Sequence, residues 1–308
     1  MKLKYCIDHS KFLVLSNVEL LVLRYCLNGF LISFLKICRV KLIGENNMWA
    51  MNNEILFSII GILFFTGYFN TVKAQDINSH QDSLALEKII VEKYYIADST
   101  DYGDTIHGIL PKGSITYRIY VDMKPDYKLQ VVYGDEKHEL FIKTSTRFFN
   151  NTECSAYTGF NIDPKKINEN TNALDSWITM GAASKLHTGI LKSDDNNGSI
   201  LTRNTLNQSD GFTKGVFPNF KIFNLDLNFF NNTKDAVLFS TNNGAWAALG
   251  GVNGPTAENR VLIAQLTTDG KLSFNISVQI GKPNGDIIQF VSNDPEKNEI
   301  KFDGLSYE

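Results

Sequence analysis

The sequence predicts an all-β protein, and more narrowly an antiparallel two-sheet β-sandwich of jelly-roll type with long loops and at most one or two short helices. Three observations predict it. Apolar and polar residues alternate in about ten short segments in the last three quarters of the chain. Turn residues such as Gly, Pro, Asn and Asp separate these segments. Long stretches with the 3.6-residue period of an amphipathic helix are almost absent.

Two strands are predicted at the start of the domain. Segment 88–97 (KIIVEKYYIA) is rich in β-branched and aromatic residues, which favours a strand over a short helix. Segment 114–123 (SITYRIYVDM) has period-two alternation. Its apolar face consists of Ile115, Tyr117, Ile119 and Val121. We therefore expect this face in the core and the opposite face in solvent.

The next segments predict an antiparallel meander. Lys124-Pro125-Asp126 has the composition of a tight turn, and 127–133 (YKLQVVY) is the expected return strand. A second turn at 134–137 leads into a strand at 138–146. The three strands 114–123, 127–133 and 138–146 should therefore pair in sequence order.

The middle of the chain, 147–220, is rich in Asn, Asp, Gly and Ser, which is typical of surface loops. A short helix is predicted at 164–170, with strands near 176–180 and 187–192. Further strands are predicted at 220–228 and 236–240, before a glycine-rich stretch at 243–254.

The strongest hairpin signal lies near the end of the chain, where 260–267 and 271–280 flank Thr268-Asp269-Gly270. Asp-Gly tolerates the positive φ that the favoured hairpin turns require. Asn284-Gly285 predicts another turn, leading to a strand at 286–292. A last edge strand is predicted at 298–307.

The N-terminal quarter has the features of an export signal. The apolar run 55–65 (ILFSIIGILFF) is too short to span a hydrocarbon core but has the length of a signal-peptide h-region. Val72 and Ala74 place small or slender side chains at the −3 and −1 positions, so cleavage is expected after Ala74. The protein is therefore predicted to be secreted or to reach the cell surface, with a signal peptide at 51–74.

The other boundaries follow from this assignment. Residues 1–50 are interpreted as an upstream extension of the gene or a disordered leader, 75–87 as a flexible linker and 88–308 as the β-sandwich domain. The alternative is that 12–36 forms a membrane helix, which would place Glu19 and Arg24 in its middle at a cost of a few kcal/mol each. No membrane span is expected in the mature chain.

The composition and the cysteine content limit the functions that the protein can have. A net charge of −3, with 43% hydrophobic and 20% charged residues, gives no indication of a nucleic-acid partner. Cys6, Cys26 and Cys38 lie in the leader, which leaves Cys154 alone in the predicted mature chain. The stability of an exported domain with one thiol must come from its core rather than from an internal disulfide.

Local catalytic signatures are missing: the sequence has no GxSxG, HExxH, CxxC or GxxxxGK[ST] motif. The mature histidines are scattered over His80, His107, His138 and His187. An enzyme is therefore not predicted. The alternative is a secreted polysaccharide hydrolase using a carboxylate pair, for which Asp175, Asp194 and Asp195 are the nearest candidates.

A calcium site is the one cofactor that the sequence suggests. Segment 193–198 (SDDNNG) places oxygen ligands before a glycine, with Asp194, Asp195 and Asn197 as the candidate ligands. The rest of the EF-hand pattern is absent, and a solvated Asp/Asn/Gly turn is the favoured alternative.

Four aromatic residues are candidates for ligand binding: Trp177, Trp246, Tyr157 and Phe212. An indole can stack on a sugar ring, yet it more often packs in a core. Trp177 alternates with Ile178, and Trp246 lies among alanines, so core packing is the favoured alternative for both tryptophans.

Several segments resemble a domain of secreted and cell-surface Bacteroidetes proteins, often found in multidomain type IX secretion substrates. They are LPKGSITYRIYVDMKPDYKLQVVYG (110–134), FFNN (148–151), ALDSWITMGAAS (173–184), LKSDDNNG (191–198), NGAWAALGGVNGPTAENRVLIAQLTTDGKLSFNISVQIGKP (243–283) and NEIKFDGLSY (298–307). The resemblance covers nearly the whole predicted mature chain and implies an extracellular setting. It implies no reaction. This chain has a single copy and no sorting domain after Glu308, which puts type IX export and surface anchoring in doubt.

We therefore expect a non-catalytic extracellular module with a binding or structural role. The loops 147–175, 193–219 and 241–259 are expected to meet a glycan, a matrix component or a cell-surface protein partner.

Overall fold

The computed structural model describes residues 81–308, apart from 102–105, 155, 170, 197–209, 216 and 233. The predicted leader, signal peptide and cleavage point at Ala74 lie outside the described residues. So do His80, Asn197 and residues 75–80 of the expected linker. Among the described residues, no helix is long and apolar enough to cross a membrane.

The regular structure of the described chain is almost entirely β-strand, with almost no helix, which confirms the predicted fold class. The strands are β1 (Leu86–Ile96), β2 (Ile115–Met123), β3 (Lys128–Gly134), β4 (Leu140–Thr144), β5 (Trp177–Ile178), β6 (His187–Gly189), β7 (Phe212–Lys214), β8 (Asn219–Phe223), β9 (Leu238–Thr241), β10 (Gly244–Val252), β11 (Arg260–Thr268), β12 (Leu272–Asn275), β13 (Ser277–Gly281), β14 (Ile287–Val291), β15 (Glu299–Lys301) and β16 (Ser306–Tyr307). Short 3-10 helices lie at Gly159–Asn161, Asn172–Leu174, Lys192–Asp194, Leu227–Asn231 and Asp303–Leu305.

The first sheet has the order β1-β2-β11-β5, and all its pairs are antiparallel. Its two central strands, β2 and β11, are nine residues long and buried along almost their whole length. The small pair β6-β7 stands apart from it.

The second layer consists of a six-stranded group, β15-β14-β13-β3-β10-β8, and a four-stranded group, β16-β12-β4-β9. Three long chain segments run through both groups: β3 into β4, β9 into β10, and β12 into β13. The pairing of neighbouring chain segments continues across the breaks, since β12 pairs with β4 and β13 pairs with β3, but the register shifts where residues 135–139 leave the sheet. All pairs in this layer are antiparallel except β14 with β15.

The main core lies between the two layers. Alternate residues of β2, Tyr117, Ile119 and Val121, belong to this core, as the sequence predicted. They share it with side chains from the second layer, including Trp246 and Phe274. The period-two pattern therefore identifies the inner face of the first sheet correctly.

The opposite face of the first sheet is also buried, and the prediction of a solvent face was wrong. Thr116, Arg118, Tyr120 and Asp122 are each at most 2% exposed. A second hydrophobic cluster covers this face. It combines Tyr94, Tyr120, Trp177 and Leu262 of the sheet with residues of the middle segment such as Phe149, Ile162, Leu174 and Phe212. The Asn- and Gly-rich middle of the chain is thus a covering layer rather than a set of free loops.

The predicted meander and the predicted Asp-Gly hairpin are also wrong. The chain crosses from the first sheet to the second layer at 124–127 and again at 269–271, so β2 does not pair with β3, nor β11 with β12. Turn chemistry shows where a chain reverses but not which strand it then pairs with. The hairpin at Asn284-Gly285 is confirmed, since β13 pairs with β14 and Gly285 has φ +92°.

Some element boundaries differ from the prediction. Most of the glycine-rich stretch 243–254 is strand β10, whose ladder is interrupted between Ala247 and Val252. Residues 164–168 form turns rather than a helix. The domain begins before residue 88, because Ala85 is fully buried and β1 starts at Leu86.

Candidate functional site

A cleft of about 190 Å³ opens at one end of the domain. Met180 and Gly181 lie at its base, next to Thr188 of β6. The remaining lining residues come from the two predicted loops 193–219 and 241–259: Lys214, Gly215, Phe217, Pro218, Val252, Asn253 and Pro255. The fold thus brings together two of the three loops that the sequence marked for binding.

The base of the cleft stays open because residue 181 has no side chain. Gly181 has φ +94°, and a Cβ at this position would contact Thr188 Cγ2 at 3.8 Å and Val252 Cγ2 at 3.9 Å. A side chain here would therefore project between the two walls. The positive φ favours glycine at this position, whereas a Cβ would make only ordinary van der Waals contacts.

Aromatic rings support one side of the cleft. The ring of Phe217 packs edge-on against Phe160, with centroids 5.6 Å apart, and Phe160 stacks on Phe220 at 4.6 Å. All three rings are partly exposed. Lys214 and Asn253 are exposed at the same cleft, so it offers an aromatic face together with a cation and an amide.

The two tryptophans do not lie at this surface. Trp177 is 1% exposed in the second cluster and Trp246 is 0% exposed in the main core. Neither indole N–H has a hydrogen-bond partner among the described residues. Core packing, the alternative that the sequence favoured, is what the structure shows, and neither indole face is available to stack on a sugar.

The other two aromatic candidates differ from each other. Phe212 is buried, with its ring centroid 4.7 Å from the guanidinium carbon of Arg118. Tyr157 is half-buried, and its hydroxyl accepts a hydrogen bond from Asn231 Nδ2 at 2.8 Å. Of the four, only Tyr157 presents part of its ring to solvent.

A buried polar ladder crosses the first sheet on the face covered by the middle segment. Glu92, Arg118 and Gln265 are register neighbours on β1, β2 and β11. Arg118 donates from Nε to Gln265 Oε1 and from Nη1 to the Gly211 carbonyl, each at 2.9 Å. Its guanidinium carbon lies 3.6 Å from the centroid of the Tyr94 ring. The hydrogen bond to Gly211 holds the middle segment onto the sheet, and the other two contacts link strands within it.

Glu92 is the anionic end of this ladder. It accepts a hydrogen bond from the Lys192 backbone N–H at 2.8 Å. Burial raises the pKa of Glu92, while the Lys192 hydrogen bond and the Arg118 charge oppose that rise. The ladder fits a structural role, since Arg118 is completely buried.

The predicted calcium ligands are engaged by protein groups in the described part of the chain. Asp194 Oδ2 lies 2.7 Å from Arg260 Nη1. Asp195 is 4% exposed and accepts a hydrogen bond from the Gly211 N–H at 2.9 Å. Since Asn197 lies outside the described residues, calcium binding by this segment stays a prediction.

Asp175, the remaining carboxylate of the hydrolase hypothesis, is completely buried. Its Oδ1 accepts hydrogen bonds from the backbone N–H groups of Asn151 at 2.8 Å and Ser176 at 2.9 Å. Burial raises the pKa of Asp175 well above its usual value, and raises that of the neighbouring Cys154 thiol as well. A carboxyl in this position anchors the middle segment and has no access to a substrate.

No family model, curated protein or solved structure matches this chain. The resemblance to secreted Bacteroidetes domains therefore remains an expectation from the sequence.

The structure also brings together three side chains that the sequence did not connect. Asp135, His138 and Glu299 each place a potential ligand atom within 4.8 Å of the others. The sequence singled out His138 only as one of several scattered histidines, and nothing in it links this residue to Glu299. Lys214 and Phe217 were likewise named only as part of the loop 193–219.

Proposed function

We propose that the domain is a non-catalytic binding module of the cell surface or extracellular space, and that the cleft beside Phe217 holds one sugar ring of a glycan. The observation that carries the proposal is the combination of a supported aromatic ring, an exposed lysine and an exposed amide around one concave surface. Hydrophobic contact with few polar groups that fix orientation is the usual chemistry of small-ligand sites.

The size of the cleft limits what it can enclose. Its volume of about 190 Å³ is below the roughly 300–1,000 Å³ of pockets that surround a drug-sized ligand. It fits a single ring or side chain protruding from a larger partner. A pyranose presents C–H groups that pack on an aromatic face and hydroxyls that pair with Lys214 and Asn253.

The lining favours binding over hydrolysis. Among the described residues that line the cleft there is no Asp, Glu or His, whereas glycoside hydrolysis uses a carboxylate pair on either side of the bond. Asp175, Asp194 and Asp195 all lie elsewhere and are held by internal contacts. We therefore do not propose the hydrolase alternative.

The extracellular setting rests on the signal peptide predicted at 51–74 and on the resemblance to secreted proteins. N-terminal sequencing of the protein recovered outside the cytoplasm tests it. A chain starting at Gln75 is expected. Recovery of a chain that still carries residues 51–74 would contradict the cleavage.

A glycan array followed by affinity measurement tests the binding function. Phe217→Ala and Lys214→Ala are expected to weaken the best glycan at least tenfold. Phe223→Ala is the matched control, because Phe223 is 49% exposed and does not line the cleft. If Phe217→Ala binds as tightly as the wild type while remaining folded, the cleft is not the site.

A further inference from the structure

The excursion between β3 and β4 meets the segment between β14 and β15. Asp135 and His138 lie in this excursion, and Glu299 is the first residue of β15. The side chain of His138 is 1% exposed and that of Glu299 8%, while that of Asp135 is 42% exposed. One side of the group is therefore buried and the other open to solvent.

The potential ligand atoms of this group all lie within 4.8 Å of one another. His138 Nδ1 lies 3.3 Å from Asp135 Oδ1, which matches the separation of about 3.0–3.5 Å between two ligands bound to a divalent ion at about 2.0–2.2 Å. Glu299 Oε2 faces the other ring nitrogen, Nε2, at 3.7 Å, so Glu299 has to turn toward Nδ1 to complete a three-residue set.

The imidazole of His138 is arranged as metal-binding histidines usually are. Its Nε2 lies 3.3 Å from the Asp294 carbonyl oxygen, a partner that favours a proton on that nitrogen. The other nitrogen, Nδ1, is buried and makes no hydrogen bond, although Asp135 Oδ1 is close. A buried nitrogen without a hydrogen bond is costly unless it has another partner.

Asp135 is held in place before any ion arrives. Its Oδ1 accepts hydrogen bonds from the backbone N–H groups of Lys137 and His138, each at 2.9 Å, and a ligand fixed in this way is preorganised. Glu299 Oε2 accepts a hydrogen bond from the Glu296 backbone N–H at 2.7 Å.

The charges around the group support the same conclusion. The nearest lysine in sequence, Lys137, forms its ion pair with Glu296 rather than with Asp135 or Glu299. A cation at the centre of the group would compensate both acids.

We propose that Asp135, His138 and Glu299 form a zinc-binding site that clamps the excursion between β3 and β4 onto the start of β15. One imidazole with two carboxylates is a borderline donor set, which suits Zn²⁺ better than Ca²⁺, whose ligands are oxygens. The ion would link two segments that are distant in sequence and so stabilise the folded chain.

The test is zinc titration of the EDTA-treated protein, followed by calorimetry and by the thermal unfolding midpoint. Zinc is expected to bind with micromolar affinity and to raise the midpoint, whereas calcium should do neither. Cobalt as a probe should give visible absorption bands that His138→Gln removes. His138→Gln and Glu299→Gln should each weaken zinc binding at least tenfold.

His107→Gln is the matched control. His107 Nδ1 lies 3.7 Å from Glu153 Oε2, a similar histidine–carboxylate pair outside the proposed site, and its replacement should leave zinc binding unchanged. Circular dichroism shows whether each variant is folded. If His138→Gln does not fold, Glu299→Gln decides the outcome. Wild-type protein that binds no zinc below about 100 μM, or a folded Glu299→Gln that binds it as tightly as the wild type, overturns the proposal.

Discussion

The guanidinium carbon of Arg118 lies 3.6 Å from the centroid of the Tyr94 ring, inside the protein, where neither residue reaches solvent. The irregularity in β1 between Lys93 and Tyr95 accompanies this contact, and it places Tyr94 over the neighbouring strand. A cation–π contact of this kind is strongest when it is shielded from water. It joins the neighbouring strands β1 and β2, while the Tyr94 hydroxyl donates a hydrogen bond to the Asp210 carbonyl of the covering segment at 2.6 Å.

Removing the Arg118 charge is expected to destabilise the fold by about 3–5 kcal/mol, because the buried Gln265 and Gly211 oxygens lose their donor and the partly buried Glu92 loses a neighbouring cation. Arg118→Met keeps the volume and tests the charge. Urea denaturation measures the free energy of unfolding. Lys143→Met, which removes an exposed cation from β4, should change it by less than about 0.5 kcal/mol. Equal effects of the two substitutions would contradict the role of the buried ladder.

The buried carboxyl of Asp175 should make the stability depend on pH. Its pKa is raised well above 3.8 in the folded protein, so above about pH 4 the unfolded chain releases a proton that the folded chain retains. Stability contributed by this group is therefore lost as pH rises from that point, by up to about 1.4 kcal/mol per pH unit.

Asp175→Asn removes this titration while keeping an oxygen that can accept from Asn151 and Ser176. The variant is expected to gain stability relative to the wild type as pH rises from 4 to 7. Denaturation curves at pH 3.5 supply the reference, since both side chains are then neutral and any difference is structural. A stability difference that stays constant over the whole range would show that Asp175 ionises normally.

Tryptophan fluorescence should report two fully buried indoles. In a Trp49→Phe background only Trp177 and Trp246 remain, and both are at most 1% exposed. Emission should be blue-shifted, and iodide should not quench it until the protein unfolds. Adding a bound glycan should leave it unchanged. Quenching of the native protein would place at least one indole at the surface.

Gly134 should not tolerate even a methyl group. A Cβ at this position would lie 2.6 Å from the Leu140 backbone nitrogen and would clash with the Thr241 carbonyl oxygen. Gly134→Ala is therefore expected to cost about 1–3 kcal/mol, or more if the excursion at 135–139 is displaced. Thermal unfolding measures the loss. Gly113→Ala is the control. Gly113 has φ +88° and open space where a Cβ would lie, so the stability lost by this variant measures backbone strain without a steric clash.

Local patterns in the sequence identified most strands, because alternation and turn residues depend on neighbours a few positions apart. Pairing partners could not be read in the same way. The sequence from Ser114 to Met123 shows which residues share a face of the strand. It does not show that residues 147–196 fold back and cover the face that carries Arg118 and Asp122. Arg118 and Asp122 looked like solvent-facing residues because each finds its partner far along the chain, at Gln265 and Arg260.

The prediction of the candidate sites was limited in the same way, because residues distant in sequence form them. The loops 193–219 and 241–259 were marked by composition, and the structure joins them at one cleft. For the tryptophans the sequence favoured core packing over binding, and their burial confirms core packing. The group around His138 requires the packing of Asp135 against Glu299, for which no short-range signal exists in the sequence.

Because the first sheet has a buried surface on each side, its covering segment cannot be exchanged as the loops of an antibody domain can. Anyone adapting this protein as a display scaffold would lose the fold by randomising residues around Phe149 or Leu174. Insertions are better placed at the Asn284-Gly285 hairpin, where a Cβ on Gly285 meets nothing within 4 Å.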